Sequence, residues 1–192
     1  MSEEIAKKQN TIFNLPNSIS FFRLLLAVPF YILVGKLNLD NSYRYYVLGL
    51  IFIAFISDIL DGYIARKKDI VTETGKIIDP LADKVCVILI ILQLYLIGEI
   101  PTIYFWIILG RDILIFTGGI FVSKKIGKVL PSNLLGKLTV LVIGFFIIAV
   151  VAGLEPSNLL YKLLFYISII MSFGSVIGYA LRAYEKIKWK NE

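Results

Sequence analysis

Six apolar runs, each close to the twenty or so residues that carry a helix across about 30 Å of hydrocarbon, divide the sequence from end to end. They extend over about Ile19 to Val34, Tyr43 to Arg66, Gly75 to Ile97, Thr102 to Val122, Leu134 to Ala152 and Leu159 to Arg182. Turn-forming residues separate them at Asn38 to Ser42, Gly98 to Pro101, Pro131 to Asn133 and Gly153 to Ser157. A water-soluble domain would have to bury several such helices on every side, which the surface-to-volume ratio of 192 residues disfavours. Composition agrees: 58% of residues are hydrophobic and only 18% charged, against about half and a quarter in soluble domains. The expected fold is all-α, an integral membrane bundle of six transmembrane helices. No internal repeat or low-complexity tract interrupts it, so residues 1–192 read as one domain. Residues 1–17 read as an N-terminal surface segment and 183–192 as a cytoplasmic tail.

The first residues, MSEEIAKKQNTIF, begin acidic and lack the basic n-region and small-residue cleavage site of a signal peptide. They read equally as a short amphipathic helix on the membrane surface or as a disordered tail.

Charge sets the orientation. The formal net charge is +6, and the basic residues gather on one side of the alternating spans. Lys7 and Lys8 precede the first span; Arg66, Lys67 and Lys68 follow the second; Lys124, Lys125 and Lys128 follow the fourth; Lys186, Lys188 and Lys190 follow the sixth. The other side carries Lys36, Arg44 and Lys162, offset by Asp40, Glu99 and Glu155. The positive-inside rule puts both termini in the cytoplasm, as in a bacterial inner membrane. The same pattern makes lipid headgroups, and not nucleic acid, the partner of the basic charge. There is no histidine, which excludes a His base, a His-containing triad and a His-ligated metal. The single cysteine, Cys86, permits no intramolecular disulfide and reads as a packing residue. Tyr43, Tyr45 and Tyr46 suit an interfacial aromatic belt.

Against this apolar background the stretch SDILDGYIARKKDIVTETGKIIDPLADK, from Ser57 to Lys84, carries four aspartates. Asp58 and Asp61 are spaced i, i+3 near the end of the second span. Asp79 and Asp83 are spaced i, i+4 near the start of the third. Each spacing puts its pair on one face of a helix, and a short loop lets the two faces meet. Four converging carboxylates repel one another unless cations lie between them, and an all-oxygen donor set favours Mg²⁺, Mn²⁺ or Ca²⁺. Two metal ions so held can clamp a phosphate and stabilise a leaving group. Gly62 and Ala65 leave a small surface beside Asp61, Arg66 can offer a fork to pyrophosphate oxygens, and Gly75 permits close approach. Pro80 suits a first helical turn or a kink beside Asp79. Helix-end charges balancing nearby Lys and Arg are the plainer explanation. That serves for one aspartate, but acids inside membrane spans are costly and usually functional. A cation transporter also uses intramembrane acids, yet it would place them near the midplane on broken or repeated helices.

Asp58-x-x-Asp61-Gly62-x-x-Ala65-Arg66, eight residues, then Gly75-x-x-x-Asp79-x-x-x-Asp83 resembles the signature of the CDP-alcohol phosphotransferase family at every position. Six spans and a cytoplasmic signature extend the likeness over essentially the whole chain. The resemblance implies an enzyme that uses a CDP-linked donor and two divalent ions, Mg²⁺ or Mn²⁺, is often a homodimer, and releases CMP. It implies Asp58, Asp61, Asp79 and Asp83 as metal ligands and Asp83 as the general base. It implies Asp61, Gly62, Ala65, Arg66 and Gly75 as donor contacts. Thr72 reads equally as a further donor contact or an ordinary loop threonine.

DPLADK, the opening LPNSISFFR from Leu15 to Arg23, and Gly136-Lys137 with Thr139 resemble the phosphatidylglycerophosphate synthase branch, whose substrates are CDP-diacylglycerol and glycerol 3-phosphate. Cardiolipin synthases, which take phosphatidylglycerol as acceptor, share much of this pattern, and other CDP-alcohol phosphotransferases share less. An acceptor phosphate needs cations. Arg111, in the middle of the fourth span where an unpaired Arg costs about 2.5–3.5 kcal/mol, and Lys137 are the first candidates; Arg23 and Arg182 are weaker ones. Arg111 reads alternatively as the partner of Asp112, Lys137 as a snorkelling end-cap and Arg182 as a positive-inside anchor.

Overall fold

A computed structural model describes residues 15–68, 75–126 and 134–191, with side chains described for 25–57, 59, 84–125 and 134–188. Among the described residues the chain forms six helices and no strand: α1 Leu15–Val34, α2 Ser42–Lys68, α3 Gly75–Leu96, α4 Thr102–Ile126, α5 Leu134–Val151 and α6 Leu159–Asn191. Each of the six apolar runs therefore lies on its own helix, and the all-α expectation holds. Three helices carry windows long and apolar enough to cross a membrane, at Thr102–Lys125, Leu134–Val151 and Leu159–Lys188. Among the described residues, the apolar stretches Leu25–Val34, Ser42–Ser57 and Lys84–Leu96 are shorter. Residues 1–14, where a surface helix or disordered tail was expected, lie outside the described residues.

The chain divides into two compact units, Met1–Ile97 and Gly98–Glu192. In the first, α1 packs against both α3 and α2. Its buried face follows helical spacing: Leu26, Ala27, Phe30 and Val34, continued by Leu37 just past the helix. Val47 of α2 and Cys86, Ile90, Ile91 and Leu94 of α3 complete the core, so Cys86 is the packing residue expected. The turn after α1 is fastened to the end of α3 by Asn38 Nδ2, which donates to the Ile97 carbonyl at 2.9 Å. Asp40 starts α2: its Oδ1 accepts the Ser42 N–H at 2.8 Å. That backbone hydrogen bond holds the exposed Asp40 carboxyl below its ordinary range. Tyr45 and Tyr46 are exposed beside this turn, and the Lys36 ammonium lies 5.6 Å from the Tyr43 ring centre, as suits an interfacial belt.

In the second unit α6 is the shared partner, packing on α4 and α5. One end of this unit is filled by rings. Tyr104 of α4 lies 4.5 Å from Phe146 of α5 and 5.3 Å from Phe165 of α6, and Tyr161 lies 5.0 Å from Phe146, centroid to centroid. Below the rings, α5 stops in a left-handed cap. Gly153 has φ +83°, its N–H bonds the Val150 carbonyl at 2.9 Å, and the Leu154 N–H bonds the Ala149 carbonyl at 3.0 Å. This crossed pair satisfies carbonyls that the helix end would leave open. Asn158 then caps α6, its Oδ1 accepting the Leu160 N–H at 2.8 Å.

Two helices extend past the sequence expectation. α1 already includes Leu15 to Ser18, ahead of Ile19. The 183–192 tail continues α6 as far as Asn191. Its residues AYEKIKWKN contain no glycine or proline to stop the helix, and Ala183 is still buried.

Candidate active site

The acidic signature occupies two helix ends. Asp58, Asp61, Gly62, Ala65 and Arg66 fall on the last turns of α2, which runs to Lys68. Gly75 is the first described residue of α3, and Asp79 and Asp83 follow on the same helix. The i, i+3 and i, i+4 spacings are thus helical spacings, and each aspartate pair shares one face of its helix. α3 continues through Pro80, where the ring removes an N–H that would otherwise reach back to the Lys76 carbonyl. The side chains of Asp58, Asp61, Gly62, Ala65, Arg66, Gly75, Asp79 and Asp83 lie outside the described residues, as does that of Arg23 on α1. Thr72 lies outside them altogether. The expectation that the two pairs face each other falls on those side chains. The chemistry of the donor set nevertheless fits hard divalent ions: four carboxylates, with no histidine in the chain to offer softer ligation.

The candidates for acceptor phosphate on α4, α5 and α6 are described in atomic detail. Arg111 is buried, 9% exposed. Its Nε donates to Ser175 Oγ on α6 at 3.1 Å, its Nη1 to Asp112 Oδ1 at 2.5 Å, and its Nη2 to the Gly136 carbonyl of α5 at 3.4 Å. One guanidinium therefore ties together all three helices of the unit. The ion pair with Asp112 is present, so the charge is not left uncompensated.

The guanidinium sits level with Gly136 of α5, and α4 continues from Arg111 to Ile126, about 22 Å further at 1.5 Å per residue. Lys137, next to Gly136, is exposed, and Arg182, seven residues past Ser175 on α6, is half-buried.

Sequence reasoning named Thr139 but missed the serines on the Arg111 side of α6. Ser168, Ser172 and Ser175 are all buried on α6, with Thr139 buried on α5. Ser175 Oγ donates to the Ser172 carbonyl at 2.8 Å, and Ser172 Oγ donates to the Ser168 carbonyl at 2.6 Å. Thr139 Oγ1 lies 2.7 Å from the Leu135 carbonyl and 3.2 Å from the Met171 carbonyl, joining α5 to α6. The signal was available: serines at i, i+4 and i+7 in an apolar span mark the face turned away from lipid.

Comparison with known proteins shows the family. The sequence pattern of the CDP-alcohol phosphatidyltransferase family matches residues 13–176. The chain is 32% identical over 181 residues to the CDP-diacylglycerol–glycerol-3-phosphate 3-phosphatidyltransferase of Aquifex aeolicus, covering 91% of this chain and 98% of that one. It is 36% identical over 137 residues to the Bacillus subtilis protein of the same name, covering 66% and 70%. It is 41% identical over 106 residues to the Rickettsia felis one, covering 53% and 55%. The family match and three helices long and apolar enough to cross a membrane make the chain an integral membrane protein. With its signature on the ends of α2 and α3 and a pattern match over most of its length, the chain belongs to the CDP-alcohol phosphatidyltransferase family.

Proposed function

We propose that this protein transfers the phosphatidyl group of CDP-diacylglycerol to glycerol 3-phosphate, giving phosphatidylglycerol phosphate and CMP. The observation that carries the reading is the unbroken signature from Asp58 to Asp83 on two consecutive helix ends. Relatives 32% and 36% identical to the chain are named for this reaction.

In this reading a hydroxyl oxygen of glycerol 3-phosphate forms a bond to the donor's diacylglycerol-linked phosphorus. The bond from that phosphorus to the oxygen bridging it to CMP breaks, and the electron pair leaves with CMP. Asp83 takes the hydroxyl proton. A carboxylate with an ordinary pKa near 4 is a weak base, so its effect depends on being held at the attacking oxygen. Asp58, Asp61, Asp79 and Asp83 would hold two divalent ions, Mg²⁺ or Mn²⁺. Those ions supply charge neutralisation at the pyrophosphate when bound. Gly62, Ala65 and Gly75 leave room for the donor, Asp61 is shared with it, and Arg66 pairs with its phosphates. Arg111 and Lys137 take the acceptor phosphate, with Arg23 and Arg182 as secondary candidates.

We place the site and both termini on the cytoplasmic side of a bacterial inner membrane. Support comes from Lys124 and Lys125 at the end of α4 and from the basic residues of α6 past Arg182. Acyl chains then enter sideways from lipid while CMP and glycerol 3-phosphate exchange with water. Residues 1–192 act as one catalytic domain, with 1–17 on the membrane surface and a homodimer as the working unit.

The test is an acceptor panel. Purified protein with CDP-diacylglycerol and Mg²⁺ or Mn²⁺ should release CMP with glycerol 3-phosphate. Release with phosphatidylglycerol alone would reassign it as a cardiolipin synthase.

A further inference from the structure

We propose that Ser175 and Asp112 are positioning residues that aim the Arg111 guanidinium at the acceptor's phosphate, an inference that rests on the reading of Arg111 as a ligand of that phosphate. An arginine side chain is long, and a phosphate is bound well only when its planar fork is held in one orientation. Here the fork is held from two sides. Ser175 is 1% exposed, and its single proton is committed to the Ser172 carbonyl at 2.8 Å. Its Oγ can therefore only accept from α4, and it meets Arg111 Nε at 3.1 Å. Asp112 takes Nη1 from the opposite edge.

The three bonds to Ser175, Asp112 and Gly136 use three of the five guanidinium N–H groups. Two remain without a partner among the described residues, one on each terminal nitrogen, enough for a phosphate. The guanidinium lies beside Gly136 of α5.

Steady-state kinetics of Ser175→Ala and Asp112→Asn test the inference. Each should raise the KM for glycerol 3-phosphate about tenfold, the size of one charge-assisted hydrogen bond, while the KM for CDP-diacylglycerol stays within twofold. Ser175→Thr, which keeps the hydroxyl, should recover most of the loss. Stabilisation of the purified protein by added glycerol 3-phosphate, read as a melting shift, should weaken in parallel and needs no turnover. Asp112→Asn keeps the side-chain shape, so a failure of Ser175→Ala to fold leaves the prediction testable. An unchanged acceptor KM, or a rise shared equally by both substrates, would overturn the positioning role.

Arg111→Gln separates the two levels of the argument. If it raises the acceptor KM and Ser175→Ala and Asp112→Asn do not, only the positioning inference fails. If Arg111→Gln itself leaves the acceptor KM unchanged, the phosphate assignment fails first.

Discussion

The Tyr104 hydroxyl and Ser168 Oγ lie 3.1 Å apart, both fully buried, seven residues along each helix from Arg111 and Ser175. The two pairs show α4 and α6 running parallel in one register through the second unit. Ser168 Oγ is also 2.8 Å from the Phe165 carbonyl. A carbonyl can only accept, so the serine proton goes there and the Tyr104 phenol donates to Ser168.

Removing that donor tests the register. Tyr104→Phe keeps the ring against Phe146 and Phe165 and should lower stability by about 0.5–1.5 kcal/mol. Tyr104→Ala empties the ring cluster and should cost about 3–5 kcal/mol. Thermal unfolding of the detergent-purified protein, followed by circular dichroism, measures both.

Two glycines of the second unit should respond in opposite directions. Gly153 has φ +83°, so Gly153→Ala should destabilise by about 1–2 kcal/mol. Gly144 lies within α5, and an added Cβ there would meet nothing within 4 Å. Gly144→Ala should stabilise by about 0.5–1 kcal/mol. Parallel melting curves decide, and a Gly153→Ala protein as stable as the parent would remove the cap from the account.

In the first unit, Gln93 Oε1 is buried without a hydrogen-bond partner among the described residues. Gln93→Met removes that polar atom at similar volume and should stabilise by about 1–3 kcal/mol. A methyl at Gly35 would collide with the Gln93 amide nitrogen, so Gly35→Ala should destabilise. That loss should shrink in a Gln93→Ala background, because the two sites share one contact. Additive losses in the double variant would contradict it.

Six helices were legible because apolar run length and turn residues such as Gly98 and Gly153 are local signals. Both glycines adopt the left-handed backbone that stops a helix, at φ +78° and +83°. The continuation of α6 through Ala183 was not legible from hydropathy, which falls at Arg182, although nothing in the tail breaks a helix. The donor signature could be read because its chemistry requires fixed spacing on two helices. The surroundings of Arg111 could not. Ser175 is 64 residues away and Gly136 is 25 residues away in sequence, and only packing brings them to one guanidinium. Asp112, adjacent in the chain, was the one partner within reach of sequence reasoning.

The carboxylates carry the chemical prediction. Asp83→Asn should lower turnover by about 10²–10⁴-fold while leaving binding of CDP-diacylglycerol within a few-fold, as judged by equilibrium titration. Full activity would remove Asp83 as base. Chelation with EDTA should abolish CMP release, and added Mg²⁺ or Mn²⁺ should restore it; activity indifferent to chelator would contradict the metal-holding role of the four aspartates.

The central claim is attack by a glycerol 3-phosphate hydroxyl on the phosphatidyl phosphorus. Mass spectrometry of both products, made with acceptor carrying ¹⁸O in that hydroxyl, reads it directly. The account predicts phosphatidylglycerol phosphate that retains the label, together with unlabelled CMP. Label in the CMP, or no lipid product from glycerol 3-phosphate, would contradict it.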